Sequence, residues 1–231
     1  MAERKVEILE DIKATLCKFV PATVTKVMEI SPTASLPESK EQDVSVLFID
    51  IQGYSLLSEK LDGAGLNAIV ELYFSVFIEA IYANNGDVNE TTGDGLMVIF
   101  HNEDRKANAL EAVRTTLMIR ERIAQIACRP EIVGTLVVNI GINSGTAFLG
   151  ISTFKSLTGC RCTYTARGTV TNVTARISAF ASGGAILVLK STVDRLHEYF
   201  TFDSLGKLAL KNVSPEVEIF SVASCSPPFS H

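Results

Sequence analysis

The hydrophobic pattern is clearest at residues 44–49, where apolar and β-branched side chains follow one another and end abruptly at Asp50. Such a run is typical of a strand buried in a sheet. The polar residues 52–55 come next and predict a turn whose free backbone N–H groups open a helix. A carboxylate beside free N–H groups suits a metal-bound phosphate, which makes Asp50, Gly53 and Tyr54 candidate binding residues. A lone aspartate at a strand end is more often only a cap.

A second acidic turn, Thr-Thr-Gly-Asp-Gly at 91–95, lies between two strand-like segments, 87–91 and 96–100. Two short runs of this kind on either side of a Gly-Asp-Gly turn predict a β-hairpin. Asp94 then lies at its tip.

The rest of the chain mixes helical and strand patterns without a regular βαβ series, which predicts an α+β fold with helices packed on a mixed or antiparallel sheet. On their own, Gly141, Gly145 and Gly150 are more typical of hairpin turns than of a phosphate loop. The predicted helices are 66–82, largely buried, then 104–129, 170–181 and 192–199; the predicted strands are 135–142, 185–188, short strands around Phe200 and Leu208, and 217–222.

The N-terminal region is predicted to be an appendage. Residues 6–20 place apolar side chains at helical spacing, which predicts an amphipathic helix that packs on the domain or on a second copy. Residues 31–42 are a polar Pro/Ser linker. We therefore divide the chain into a helix with its linker (1–40), one main domain (41–224) and a tail (225–231).

The composition fits one globular domain, with 231 residues of which 47% are hydrophobic and 20% charged. The net charge of -5 argues against a nucleic-acid or anionic-membrane partner. The sequence has no uninterrupted apolar run long enough to cross a bilayer and no apolar signal core, which predicts a cytoplasmic protein without a membrane partner. The five cysteines are scattered, and Cys160-Arg-Cys162 lacks the second pair that a metal clip needs.

Two segments resemble the metal-binding segments of class III nucleotidyl cyclases: Phe-Ile-Asp-Ile-Gln-Gly-Tyr at 48–54 and Thr-Gly-Asp-Gly-Leu-Met at 92–97. A GIxxGxxxxG run beginning at residue 141 strengthens the resemblance, which covers roughly residues 44–222. It implies a ferredoxin-like cyclase fold and an enzyme that converts a nucleoside triphosphate to a 3′,5′-cyclic monophosphate and pyrophosphate.

The same resemblance implies a two-metal site formed by the carboxylates of Asp50 and Asp94 and the backbone carbonyl of Ile51. Ligand sets made only of oxygen favour Mg²⁺ or Mn²⁺ over zinc. It further implies a symmetric homodimer with two composite sites, in which the two aspartates of one subunit face the base-binding residues and the Asn/Arg pair of the other.

Asn172 and Arg176 lie four residues apart on a predicted helix and so share a face. Alone they would be solvated surface. Their spacing matches the family's Asn-x-x-x-Arg pair, in which the asparagine orients the ribose and the arginine stabilises charge on the phosphoryl oxygens.

The chain departs from the family at Thr169 and Thr171, beside this pair, where relatives usually carry an acidic or amide residue and a valine. A lysine that many relatives use on the triphosphate has no sure counterpart. Lys211 is the nearest candidate and Lys207 the next, although an ordinary surface lysine is the better interpretation of either.

Base selection is predicted to depend on Glu90, which stands where adenylate-specific relatives place a lysine, and on Thr165 across the pocket. A carboxylate only accepts hydrogen bonds, so it pairs with guanine N1–H and its amino group or with uracil N3–H, but not with adenine N1 or cytosine N3. Arg167 stands where relatives carry an apolar residue. It either narrows the pocket, which favours UTP over GTP, or points to solvent.

A short cyclase of this kind also resembles the pyrimidine cyclases of bacterial anti-phage Pycsar systems. The predicted product is therefore cyclic UMP, read by a separate effector protein, with cyclic GMP as the runner-up. Two other functions stay open: a degenerate domain that only binds nucleotide or a partner, and metal-dependent phosphodiester hydrolysis at the same aspartates.

Overall fold

The computed structural model describes residues 2–30, 38–128 and 136–225. Residues 31–37 of the predicted linker, the end of the predicted 104–129 helix, the start of the predicted 135–142 strand and residues 226–231 lie outside this part of the chain. In chain order the elements are α1 (Ala2–Leu16), α2 (Ala22–Ile30), β1 (Lys40–Gln52), α3 (Tyr54–Lys60), α4 (Gly63–Ala83), β2 (Asp87–Thr92), β3 (Gly95–Phe100), α5 (Arg105–Ala127), β4 (Val137–Lys155), β5 (Cys160–Arg167), α6 (Thr169–Phe180), β6 (Ile186–Leu189), α7 (Lys190–Leu196), β7 (Phe200–Leu208) and β8 (Val217–Cys225).

The strands form one mixed sheet in the order β2-β3-β1-β4-β6-β8-β7, with β5 paired to β4. Neighbouring strands are antiparallel except β4 and β6, which are parallel. Helices α4 and α5 cover one face, while α2 and α6 contribute to the cores on the other. The predicted α+β class is confirmed.

Residues 44–49 of strand β1 are apolar except for Ser45, because both faces of this part of the strand are covered. Leu47 and Ile49 join the core under α4 and α5, together with Phe77. Val44 and Val46 point the other way and join a second core that includes β5. Since successive strand residues alternate between faces, a segment buried on both sides loses the alternation of apolar and polar residues, and its one polar side chain, Ser45, is hydrogen-bonded to Ser144.

The expectation that Gly141, Gly145 and Gly150 form hairpin turns was wrong. They lie inside one long strand, β4, and β5 was not predicted. A Cβ on Gly141 would lie 2.7 Å from the backbone nitrogen of Ser178 in α6. Glycine at this position therefore allows the helix to pack closely on the sheet. In the sequence alone, the same glycine looks like a turn residue. Likewise, Phe200 and Leu208 are the two ends of one strand, β7.

The N-terminal helix begins and ends four residues earlier than predicted, and a second helix, α2, follows it. The apolar side chains of α1 do not pack on the domain within this chain, since Ile8, Ile12 and Leu16 are each about half exposed. Phe19, just beyond α1, is 81% exposed. Packing against a second copy stays a prediction.

Helix α4 is less buried than predicted: only Tyr73, Phe77, Ala80 and Ile81 are fully buried. By length and composition alone it is also the one helix in the described segments that could cross a membrane. We interpret it as a core helix, because Phe77 packs against the sheet and Glu79 pairs with Arg122 of α5 at 2.6 Å.

Candidate active site

Asp50 and Asp94 meet at one point of the sheet. Asp50 lies opposite Gly95 in the register of β1 and β3, and the Ile51 N–H donates to the backbone oxygen of Asp94 at 2.9 Å. A Cβ on Gly95 would lie 2.7 Å from the Ile49 carbonyl oxygen, so only glycine lets the hairpin tip approach β1 so closely. The predicted hairpin is confirmed, and it carries Asp94 to Asp50.

The electrostatics of this point are unfavourable without a cation. Burial raises the pKa of Asp50 above its ordinary value, and the nearby charge of Asp94 raises it further. Neither carboxylate forms a salt bridge among the described residues. No third His, Cys, Asp or Glu in the described segments joins them in a metal-ligating cluster, so the protein side chains supply a pair of carboxylates.

A cleft runs from Asp50 across the face of the sheet. Near Asp50 it is lined by Phe48, Glu90, Met97 and Ala175. The same four residues line its wider continuation, a cavity of about 390 Å³. That continuation is also lined by Thr165 and Arg167, the other two residues predicted to contact the base. Asn172, the first residue of the predicted Asn/Arg pair on α6, lines it as well.

Helix α6 begins after Gly168 and passes directly over Gly141 of β4. This packing places Asn172 at the cleft, exposed to solvent. Arg176, one turn further on, is half-buried, does not line the cleft, and has no salt bridge in the described segments. One chain thus presents Asn172 to the cleft and leaves Arg176 beside it.

Comparison with known proteins decides the family. The Adenylate and Guanylate cyclase catalytic domain profile matches residues 36–223. The chain belongs to this family. Among solved structures, the cyclase domain resembles the adenylyl cyclase CyaB from P. aeruginosa, with 25% identity and a TM-score of 0.74, covering 83% of this chain and 98% of that one. It also resembles the guanylyl cyclase Cya2, with 25% identity and a TM-score of 0.71, covering 84% of this chain and 98% of that one.

A curated relative is Adenylate cyclase 1 of Rhizobium meliloti, 26% identical over 186 residues that make up 78% of this chain and 27% of the relative. The chain therefore spans about a quarter of that protein's length. These relatives include both adenylyl and guanylyl cyclases, so they do not assign a base to this cyclase domain.

Two further predicted binding residues, Gly53 and Tyr54, lie near the aspartate pair. Gly53 precedes α3, and Tyr54 is the first residue of that helix. A Cβ on Gly93 would lie 3.9 Å from the Tyr54 ring, so the ring packs beside the turn that carries Asp94. Neither Gly53 nor Tyr54 lines the cleft, and direct contact of either with substrate stays a prediction.

The departures from the family pattern have structural consequences. Thr171 donates from its hydroxyl to the Ala166 carbonyl at 2.9 Å, which ties the first turn of α6 to β5. Thr169 is exposed. The Arg167 guanidinium lies 5.8 Å from the centre of the Phe154 ring, a cation–π contact, and still borders the cleft.

Lys207 and Lys211 are exposed and do not line the cleft of this chain. The structure therefore gives neither lysine a place beside the aspartates. Contact of either with the triphosphate stays a prediction.

A polar cluster that was not predicted attaches α2 to the cyclase domain. Asp87 accepts hydrogen bonds from the backbone N–H groups of Ala22 and Thr23, at 2.7 and 3.0 Å. Thr23 Oγ1 lies 2.9 Å from His101 Nε2 and is also hydrogen-bonded to Tyr164. Burial, helped by the charge of Asp87, raises the pKa of Tyr164 to about 12, so its hydroxyl stays neutral.

This cluster makes folding sensitive to acid. Burial lowers the pKa of His101 below its ordinary value of 6.5, and Lys26 acts in the same direction, while Asp87 opposes both. The unfolded chain therefore binds more protons than the folded protein as the pH falls through 6.5. We expect the free energy of unfolding to decrease over that range in urea titrations.

His101→Asn should reduce this pH dependence, whereas the control His197→Asn, at an exposed position, should leave it unchanged. An unaltered pH dependence in His101→Asn would assign the effect to other groups.

Proposed function

We propose that this protein is a nucleotidyl cyclase that converts a nucleoside triphosphate to its 3′,5′-cyclic monophosphate and pyrophosphate. The observation that carries the proposal is that Asp94 meets Asp50 on a face of the sheet whose cleft also presents Glu90, Thr165 and Asn172. Membership of the cyclase domain family supports the same reaction. We propose that residues 41–224 form the catalytic domain.

Asp50, Asp94 and the Ile51 carbonyl would hold two divalent cations, Mg²⁺ or Mn²⁺. Their oxygen-only chemistry suits these hard ions, and the raised pKa of Asp50 marks a place where added positive charge is stabilising. When bound, such ions activate the ribose 3′-hydroxyl and neutralise the triphosphate.

The side chains of α6 then act on the sugar and the phosphate. Asn172, at the cleft, orients the ribose so that its 3′-hydroxyl faces the α-phosphorus. The hydroxyl oxygen bonds to that phosphorus as the bond to pyrophosphate breaks. Arg176 has no salt bridge in the described part of the chain and is available to stabilise charge on the phosphoryl oxygens.

We propose that these groups combine across a symmetric homodimer. Asp50 and Asp94 of one subunit would face Glu90, Thr165, Asn172 and Arg176 of the other, giving two composite sites. This arrangement rests on the resemblance to the cyclase family, and it is supported by the fact that each chain presents both the aspartate pair and the residues that would face a partner's aspartates.

For the base we propose UTP, with GTP second. Glu90 offers only acceptors to the base edge, which selects uracil or guanine against adenine and cytosine. Thr165 and Arg167 border the same cavity and would donate to uracil O4 or guanine O6. The length of Arg167 narrows the space left for a purine, although its contact with Phe154 holds the guanidinium toward the cavity edge.

We further propose that the product is a second messenger read by a separate effector in the cytoplasm, as part of anti-phage defence. This step rests on the resemblance to the pyrimidine cyclases of Pycsar systems. The mildly acidic charge supports the absence of a nucleic-acid or membrane partner.

The test compares turnover of ATP, GTP, CTP and UTP with Mn²⁺, measuring pyrophosphate and cyclic nucleotide. We expect UTP to be used best and Glu90→Lys to lower that turnover by about a hundredfold or more, because the base then meets a donor. Glu59→Lys, on exposed α3, is the charge-matched control.

The outcomes separate the alternatives. A preference for ATP would refute the role of Glu90, and a preference for GTP would refute only the size argument. Lack of product from all four triphosphates would support a domain that only binds, while consumption of added cyclic nucleotide would indicate hydrolysis.

A further inference from the structure

Strand β2 contains one extra residue at Asn89. Val88 pairs with Val98 and Glu90 pairs with Met97, so Asn89 has no partner in the register with β3. This is a β-bulge, a feature that re-aims side chains beside active sites.

The bulge determines which face Glu90 occupies. Val98 and Leu96 belong to the core under α4 and α5, whereas Met97 lies on the opposite face, which carries the cleft. Regular pairing would place Glu90 opposite Leu96, on the helix-covered face. With Asn89 inserted, Glu90 lies opposite Met97 and lines the cleft.

The side chain of the bulge residue also fixes the other wall of the cleft. The β4–β5 hairpin folds across the sheet, since Tyr164 and Ala166 of β5 pack with Val44 and Met97. Asn89 Nδ2 donates to the backbone oxygen of Tyr164. The next residue on each strand is a predicted base contact: Glu90 after Asn89, and Thr165 after Tyr164.

The amide of Asn89 does more than fill space. Asn89 Oδ1 is buried and has no hydrogen-bond partner in the described residues, which is a cost that an apolar side chain would avoid. The amide cannot be turned round to satisfy it, because two carbonyl oxygens would then face each other. The contact made by Nδ2 is what the amide contributes.

We propose that Asn89 is a positioning residue that sets the separation of Glu90 and Thr165 and thereby the base that the cleft accepts. The inference rests on the proposed function, in that the cleft must bind a nucleotide. Asn89 itself is not placed in contact with the substrate.

The experiment uses Asn89→Leu, which keeps the size and removes the donor, and Asn89→Asp, which keeps the shape and removes the donor. The second variant serves if the first does not fold. Asn67→Leu is the matched control, since the Asn67 amide also bonds one group, Glu71 at 2.8 Å, at an exposed position of α4. For each protein, kcat and KM are measured for all four triphosphates, together with binding of their α,β-methylene analogues in Mn²⁺.

We expect both Asn89 variants to change the ratio of kcat/KM between the favoured triphosphate and the next best by about tenfold. The change should come mainly from KM, because a small displacement of Glu90 or Thr165 alters contacts with the base more than the position of the reacting groups. Asn67→Leu should leave the ratio unchanged. Equal losses for all four triphosphates, or ratios within twofold of the unaltered protein, would overturn the proposal and leave Asn89 a structural residue.

The two hypotheses fail separately. If the unaltered protein binds the analogues but turns over no triphosphate, the proposed function fails and the ratios of binding constants decide the role of Asn89. If it binds none of the analogues, both are overturned.

Discussion

Asp50→Asn is expected to lower cyclisation by about a thousandfold or more while leaving a folded protein that is at least as stable. The substitution keeps the size of the side chain and removes the charge that a divalent cation needs. It also removes an ionised group whose pKa is raised by burial and by Asp94, so the folded state loses a source of electrostatic repulsion. Turnover with Mn²⁺ and thermal unfolding of the same sample provide the two measurements.

Asp11→Asn, at an exposed position on α1, controls for loss of one acidic charge and should be indistinguishable from the unaltered protein. Asp94→Asn should match Asp50→Asn in activity. Near-normal turnover in either aspartate variant would remove the pair from the catalytic site, and unfolding of Asp50→Asn would make its activity uninformative, leaving Asp94→Asn to decide.

A mixture of Asp50→Asn and Arg176→Ala proteins, each inactive alone, is expected to regain about a quarter of the activity of the unaltered protein. If the sites are composite, the heterodimer combines the intact aspartates of one chain with the intact arginine of the other in one of its two sites. Random exchange makes half of the dimers heterodimers. Activity is measured after subunit exchange has been demonstrated with two affinity tags.

The control mixture is Asp50→Asn with Asp94→Asn. These residues belong to the same half of a composite site, so no heterodimer contains an intact one and no activity should return. Failure of the first mixture despite exchange, or recovery in the second, would contradict the proposed arrangement.

The parts of this structure that were predictable from sequence are those encoded locally. The apolar run ending at Asp50 and the hairpin carrying Asp94 can each be recognised from about ten consecutive residues, and both were confirmed. Helix α2 was missed because its first N–H groups are capped by Asp87, sixty-five residues from Ala22. No local cap marks where that helix begins.

The same difference between local and long-range information explains which residues of the candidate site were predicted. Residue types suggested Asp50, Glu90, Thr165 and Asn172, and the fold brings these four to one cleft. Asn89 was not singled out, because a bulge is a property of two paired strands and leaves no mark in one of them. In the proposed homodimer, the place of Arg176 in a complete site depends on a second chain, which no single-chain pattern specifies.

Asp87 links helix α2 to the strand that carries Glu90. It holds the first turn of α2 and opens the strand that reaches Glu90 three residues later. A pull or twist on α2 must either break both hydrogen bonds to Asp87 or move the beginning of that strand. A displacement of α2 would thus reach, through Asp87, the same short strand that contains the Asn89 bulge and Glu90.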